Sequence, residues 1–250
     1  LGYQPDKHNK MGAVSTAYAS TFLTPFFHKE YALKNTGEKY TLDIEGVSRT
    51  LYSYSRRRTP VRIIGFPAYL YFLLKKLEEA EIRLNLSSES MILIGGGWKQ
   101  FASQEVNKQE LHDLADKWLG IKEGRFKEFF GVVEHNIPYF TCANHHFHVP
   151  VYSRVIIRDV KTMAPLGFGT PGILNLITPF LKSMPLVSIM TDDIAVLREG
   201  QDCGCGNAAP FFTVLGRAGL SAIKTCAAGA GSILEASEDG FNSWKNYKIS

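Results

Sequence analysis

MILIGGGWKQFASQEVNKQELHDLADKWLGIKEGRFKEFF, residues 91–130, is the stretch that decides the fold. Met91 to Ile94 is an unbroken apolar run, as in a strand buried on both faces, and it runs straight into Gly95-Gly96-Gly97-Trp98-Lys99. Asn107 to Leu119 then places Leu111, Leu114, Ala115, Trp118 and Leu119 three and four residues apart, which makes one apolar helical stripe. Asn107 is placed to cap this helix, with Glu110 completing a variant of the capping box and Gly120 ending it. Phe126 to Phe130 reads as a further strand, closed by a turn at Gly131.

The pattern repeats on the N-terminal side. Val61 to Gly65 is a short buried strand, and Pro67 to Glu81 a helix with Leu70, Leu73, Leu74 and Leu77 on one side. Strand, helix, strand, helix, strand predicts a parallel sheet flanked by helices. Ligands of such sheets bind beyond the carboxyl ends of the strands. The Gly95 to Lys99 loop and the Gly131 to Glu134 turn lie at those ends and are expected to face one cleft. Before this core, Tyr31 to Leu42 reads as a hairpin, and Asp43 caps a helix running to about Ser55. Ala13 to Phe27 is apolar, with no period that separates helix from strand.

From Val149 the texture changes to VYSRVIIRDV, a Pro/Gly-rich bend over 165–172, then ILNLIT, LVSIM, DIAVL and FFTVLG. This predicts an antiparallel sheet or partial barrel. The expected organisation is therefore an α/β layer over residues 1–148 and a strand-rich subdomain with a short C-terminal tail over 149–250.

Composition narrows the class. A chain of 250 residues that is 45% hydrophobic suits one large domain, or one with a small appendage. No run approaches the roughly 18 apolar residues of a membrane span; Phe66 to Leu74 stops at Lys75-Lys76. The first ten residues lack a signal peptide's apolar centre. Four cysteines, one Cys-x-Cys and two singles, suit cytoplasmic metal or thiol chemistry better than a disulfide framework. The net charge of +4 includes one basic run, Arg56 to Arg58, and no basic stripe, which argues against a nucleic-acid partner. The chain opens without an initiator Met and is expected to be part of a longer protein.

Several residues have the types and positions that chemistry needs. Gly95 to Gly97 after a strand lets a ligand approach backbone N–H groups, although it matches neither a P-loop nor a Gly-x-Gly-x-x-Gly fingerprint. Glu134, after the Gly131 turn, can hold a hydrated Mg²⁺ against nucleotide phosphates, or be a plain surface glutamate. Thr191-Asp192-Asp193 is expected at a strand end, where an acid binds ribose hydroxyls or caps a turn. Arg217, after FFTVL, is suited to pair with phosphate or with one of those acids. Cys142, His148, Cys203 and Cys205 supply three thiols and an imidazole, a Zn²⁺ set, against the alternative of unligated buried thiols. The spacing leaves the choice among His145, His146 and His148 open. Cys226 follows Lys224 and precedes the small-residue run AAGAGS, so its thiol is a candidate nucleophile or simply a packed side chain.

The order Ile94-Gly95-Gly96-Gly97-Trp98-Lys99, Phe130-Gly131-Val132-Val133-Glu134, Thr191-Asp192-Asp193, Leu215-Gly216-Arg217 resembles the adenylate-forming ligases. The Gly-Gly-Trp-Lys version, His148-Val149-Pro150 after the cysteine, and the late Lys224-x-Cys226 resemble the LuxE-type acyl-protein synthetases most. The related phenylacetate–CoA ligases share the Cys…His…Cys-x-Cys arrangement. The resemblance covers most of residues 60–228. It implies an ATP- and Mg²⁺-dependent activation of a fatty acid, transfer of the acyl group to a protein cysteine, and an acyl-CoA-reductase-type partner. It places Gly95, Gly96, Gly97, Phe130 and Gly131 at the adenine, Trp98 among the cofactor-binding residues, Glu134 at Mg²⁺, Asp193 at the ribose, Arg217 at the nucleotide and Cys226 as acyl acceptor. The family's Ser/Thr/Gly phosphate loop is expected ahead of Leu1, and Val133 stands where the family carries a threonine. Two alternatives remain: a ligase that uses free coenzyme A, and a zinc-stapled binding module without catalysis. Homo-oligomerisation is compatible with all three.

Overall fold

The structure is a computed structural model that describes residues 26–35, 40–180 and 186–217. The described chain forms two compact units that divide between Phe126 and Lys127, each with its own apolar core. Cys226 and most of the apolar segment Ala13 to Phe27 lie outside the described residues.

The first unit begins with an antiparallel pair, β1 (Leu33–Asn35) and β2 (Tyr40–Leu42). Helix α1 (Ile44–Arg57) follows, capped as expected by Asp43, whose Oδ1 accepts the N–H of Gly46 at 2.7 Å. Lys34 Nζ lies 2.7 Å from the other carboxylate oxygen. Burial raises the Asp43 pKa, but the Lys34 ammonium and the Gly46 N–H outweigh it and hold the carboxyl below its ordinary value. Asp43→Ala is expected to cost about 1 kcal/mol of stability. Because the folded pKa is depressed, the cap stabilises above the unfolded pKa and is lost as pH falls through the folded one. The difference in Tm between the native protein and Asp43→Ala should therefore shrink in acid, which thermal melts at several pH values can check.

Strands β3 (Arg62–Gly65) and β4 (Met91–Gly95) pair in parallel, with Ile63 opposite Ile92. Helix α2 (Pro67–Glu79) connects them and buries Leu70, Leu73, Leu74 and Leu77 completely, the face expected from their spacing. Helix α3 (Lys108–Leu119) is capped by Asn107, which accepts Glu110 N–H at 2.8 Å, and it ends at Gly120 in the left-handed conformation. No helix among the described residues is long and apolar enough to cross a membrane.

The second unit opens on a hairpin that sequence reading did not identify. Strand β5 (Phe126–Val132) pairs antiparallel with β6 (His135–Phe140) through the two-residue tip Val133-Glu134. In residues 135–140 Pro138 and two polar residues mask the alternation, yet His135, Ile137 and Tyr139 are buried and their neighbours exposed. Then follow β7 (Phe147–His148), β8 (Arg154–Arg158), β9 (Gly172–Ile177), β10 (Ser188–Arg198) and β11 (Phe211–Arg217). They form one antiparallel sheet in the order β7-β11-β10-β9-β8. The mixed architecture matches the expected α/β class, with the parallel β3–β4 pair beside the small antiparallel β1–β2 pair in the first unit and antiparallel pairing in the second. The change of texture expected at residue 149 falls inside the second unit, where β7 already belongs to the antiparallel sheet.

Thr191-Asp192-Asp193 does not end a strand as the sequence suggested. It sits in the middle of β10, which joins the SIM of LVSIM to DIAVL in one 11-residue strand. A register irregularity there, described below, is what gave the appearance of two strands.

Candidate nucleotide and metal sites

On β10, Met190 faces Asn175 and Ile194 faces Ile173, so four steps along β10 match two along β9. The surplus carries Thr191 to Asp193 out of the pairing with β9. Thr191 Oγ1 donates to Leu174 O at 3.0 Å and accepts Asp193 N–H at 3.1 Å, which fixes the loop of strand. A second shift lies on the other side, where Ile194 pairs Gly216 and Ala195 pairs Val214, leaving Leu215 unpaired and 58% exposed. Gly216 has φ +150°, a backbone conformation that side chains disfavour, and this permits the bulge. The bulge brings Arg217 opposite Asp193, with Nε 3.6 Å from Oδ1. Burial raises the Asp193 pKa above its ordinary value against the opposing pull of Arg217, while Asp192 adds to the rise. The expected pairing of Arg217 with one of the two acids is thus present, and the acid is Asp193.

Glu134 is exposed at the tip of the β5–β6 hairpin and makes no hydrogen bond or ion pair among the described residues. A carboxylate with no internal partner is available to a hydrated cation. Phe130, four residues before it, turns inward and packs edge-on against Phe212 at 5.6 Å. In the first unit, Gly95 is the buried end of β4, Gly96 and Gly97 are exposed, and nothing lies within 4 Å of a Cβ added to Gly97. Trp98 returns to the core and packs on Tyr71 at 5.5 Å, anchoring the end of the glycine turn. Gly95 to Trp98 belong to the first unit, and Phe130 to Glu134, Asp193 and Arg217 to the second.

The densest cluster is made by Cys142, His148, Cys203 and Cys205, whose ligand atoms all lie within 4.8 Å of one another. Cys142 Sγ is 3.5 Å from Cys203 Sγ, and Cys205 Sγ is 3.3 Å from His148 Nε2. A tetrahedral ion with Zn–S near ~2.3 Å and Zn–N near ~2.0 Å needs S···S and S···N edges of about 3.8 and about 3.5 Å. His148 Nδ1 lies 2.7 Å from Ala209 O, so it donates there and leaves the Nε2 lone pair facing the sulfurs. This selects His148 from the three histidines. His146 Nδ1 instead touches Cys203 Sγ from outside the set, at 3.3 Å, with its ring on Phe211. His145 occupies the turn at φ +59°.

The thiols are unequal. Burial raises the Cys142 pKa, but backbone hydrogen bonds from His146 and Asn144 outweigh it and hold it below its ordinary value. Burial, with Cys205 and Cys142 adding, pushes Cys203 up to about 12. A dication at the centre would favour all the thiolates at once. The donor set therefore fits such an ion.

Two supports of this cluster were not singled out from the sequence. Asn144 Nδ2 donates to Cys203 O at 2.6 Å, tying the β6–β7 turn to the β10–β11 turn. Gly200 packs so closely on the Ala208-Ala209 backbone that any Cβ would collide with both carbonyls, and Ala209 is the residue that orients His148. A glycine three residues before Cys203 was the signal available, but its meaning depends on a contact eight residues away.

The sequence model of the family described as acyl-protein synthetase, LuxE, matches residues 5–234. A long-chain-fatty-acid–luciferin-component ligase of Vibrio harveyi is 25% identical over 202 residues, covering 80% of this chain and 52% of the relative. The ligase of the same description from Aliivibrio fischeri is 25% identical over 198 residues, covering 78% of this chain and 50% of the relative. The chain thus spans about half the length of these relatives. Among solved structures, a long-chain-fatty-acid-CoA ligase from Archaeoglobus fulgidus aligns with a TM-score of 0.50 at 14% identity, covering 71% of this chain and 37% of the other. That likeness is one of fold, the fold of the adenylate-forming ligases.

Proposed function

From a chain that belongs to the LuxE family of acyl-protein synthetases, we infer the sheet-bearing core of an ATP-dependent ligase that activates a fatty acid and passes the acyl group to a protein cysteine. The observation that carries this reading is the Asp193–Arg217 pair, a buried acid where β10 leaves its pairing with β9, facing an arginine on β11. A sheet has no packing reason to bury a carboxylate with a raised pKa at a strand irregularity. A nucleotide provides one, with Asp193 accepting from ribose hydroxyls and Arg217 turned to the nucleotide's charge.

The remaining roles are those that the resemblance to the family implies. Gly95 to Gly97 and Phe130-Gly131 border the adenine, and Trp98 anchors the glycine turn from the core. Glu134 holds Mg²⁺, which supplies charge neutralisation at the phosphates. The substrate carboxylate attacks the α-phosphorus in line; the bond to the β-phosphate oxygen breaks and pyrophosphate leaves. The Cys226 thiolate then attacks the acyl carbonyl, forming a thioester as AMP departs with the electron pair of the broken acyl–oxygen bond. An acyl-reductase-type protein is the consumer of such a thioester. Cys142, His148, Cys203 and Cys205 hold a structural Zn²⁺ that takes no part in these steps.

The full-length protein carrying this chain, incubated with labelled fatty acid and ATP, should acquire a base-labile label that disappears in Cys226→Ser. Label surviving that substitution excludes Cys226 as the acceptor. Acyl-CoA formed with free coenzyme A, and no labelled protein, would assign the coenzyme A route instead.

A further inference from the structure

Next to Glu134 in sequence lies a buried polar chain that none of the steps above uses. His135 is 2% exposed, and its Nε2 lies 3.0 Å from the hydroxyl of Tyr139, which is 1% exposed. The two rings are parallel within 2°, with centroids 5.7 Å apart. The Tyr139 hydroxyl lies 2.5 Å from Ser153 Oγ, and Ser153 Oγ lies 3.0 Å from the main-chain carbonyl of Ile177. Ser153 directly precedes β8, and Ile177 is the last residue of β9, so the chain runs from the hairpin tip into the five-stranded sheet.

The protons in this chain have only one arrangement. A carbonyl oxygen can only accept, so the Ser153 proton is committed to Ile177. Ser153 must then accept from Tyr139, and Tyr139, its proton used, must accept from His135. His135 is therefore the Nε2–H tautomer. Its Nδ1 is a bare lone pair, buried and without a partner. Burial lowers the imidazole pKa, in keeping with a neutral ring. Every link thus points one way, from the residue after Glu134 to the sheet.

We propose that His135 is a positioning residue for Glu134: its donated hydrogen bond, relayed through Tyr139 and Ser153 to Ile177, fixes the tip of the β5–β6 hairpin and with it the direction of the Glu134 carboxylate. The hairpin needs such a tie. Phe130 faces Tyr139 while Val132 faces His135, so two steps of β5 oppose four of β6 and the ladder is interrupted just before the tip. The Val133-Glu134 turn itself is exposed and contributes no packing of its own.

This inference rests on the reading of Glu134 as the cation-holding acid, and the test separates the two. ATP–pyrophosphate exchange is measured on the full-length protein as a function of Mg²⁺ and ATP, for Glu134→Gln, His135→Leu, His135→Gln, Tyr139→Phe and the double variant Glu134→Gln/His135→Leu. His135→Leu and Tyr139→Phe are each expected to lower the rate about tenfold, as a small displacement of a reacting group does. His135→Gln, which keeps a donor near the Nε2 position, should recover the rate to within about threefold of the native protein. In the Glu134→Gln background His135→Leu should cost nothing further, because there is no carboxylate left to position. A full additional loss in the double variant, or no rescue by Gln, assigns His135 a general structural role and overturns the proposal. If Glu134→Gln exchanges normally, the reading of Glu134 falls and takes this inference with it. Tyr139→Phe keeps the ring on Phe212, so it remains informative if His135→Leu fails to fold.

Discussion

Removing metal from the four-ligand cluster is expected to lower the Tm by about 10–20 °C, the shift that a loss of several kcal/mol gives in a domain of this size. The effect should be confined to the second unit at first. Hydrogen exchange should rise over residues 142–146 and 199–209, the two turns that Asn144 and the cluster tie together beyond the β7–β11 pairing. The unit keeps its own core around Tyr139, Leu174, Leu176 and Phe212, so it should loosen rather than unfold outright, unlike an isolated zinc finger. Gly200→Ala should reproduce part of the loss without touching a ligand. Its new methyl has to displace the Ala208-Ala209 backbone and with it the carbonyl that aims His148. Metal analysis of the native protein should give about one zinc per chain, and well under half in Cys205→Ser. A native protein without zinc, with a Tm indifferent to chelator, would leave the cluster as packed thiols.

Asp193→Asn is expected to weaken ATP binding by a factor of about 10–100, the value of a hydrogen bond to a charged group, about 1.5–3 kcal/mol. The same substitution should raise thermal stability at neutral pH. The folded carboxyl has a pKa above its ordinary value because burial disfavours its charge. A group raised in this way contributes stability below its unfolded pKa, near about 3.9, and loses it as pH rises through the folded value. At pH 7–8 the native protein therefore carries the full penalty and the asparagine variant none, while near pH 3 the two should melt alike. Arg217 is left without its acid in the variant, but its side chain is 50% exposed and water screens the loss. Calorimetry with ATP and Mg²⁺, alongside melts at the two pH values, tests both halves. A variant that binds ATP normally would remove Asp193 from the site.

The two predictions also show what could be read from residues alone. Helix caps at Asp43 and Asn107, the leucine face of α2 and the parallel pair β3–β4 were legible because each depends on neighbours within a few positions. The three cysteines of the candidate metal cluster were legible too, since Cys and His rarely gather in a core for packing, but the choice of His148 among three histidines was not. Hidden were the features set by register. Nothing local to HNIPYF announces that His135 and Tyr139 meet, because a residue and its fourth neighbour lie far apart in an even strand. Thr191-Asp192-Asp193 looked like a break because polar residues interrupt an apolar run; only the partner strands show that pairing resumes beyond it. Gly200 looked like any loop glycine until the backbone it touches was known.

The irregularities of β6 and β10 share an arithmetic. In each, one strand uses four residues where its neighbour uses two, so each holds a surplus of two. Two is the repeat of a strand, so such a surplus keeps the alternation of inward and outward residues in phase, whereas the one-residue surplus at Leu215 needs the special backbone of Gly216 to keep Phe211 and Phe212 in the core. A strand lengthened by an even number can therefore push side chains out of its ladder and still close the same core. Comparing the lengths of paired strands, and looking for even differences, is thus a way to find places in a sheet where sequence is held for a purpose other than folding.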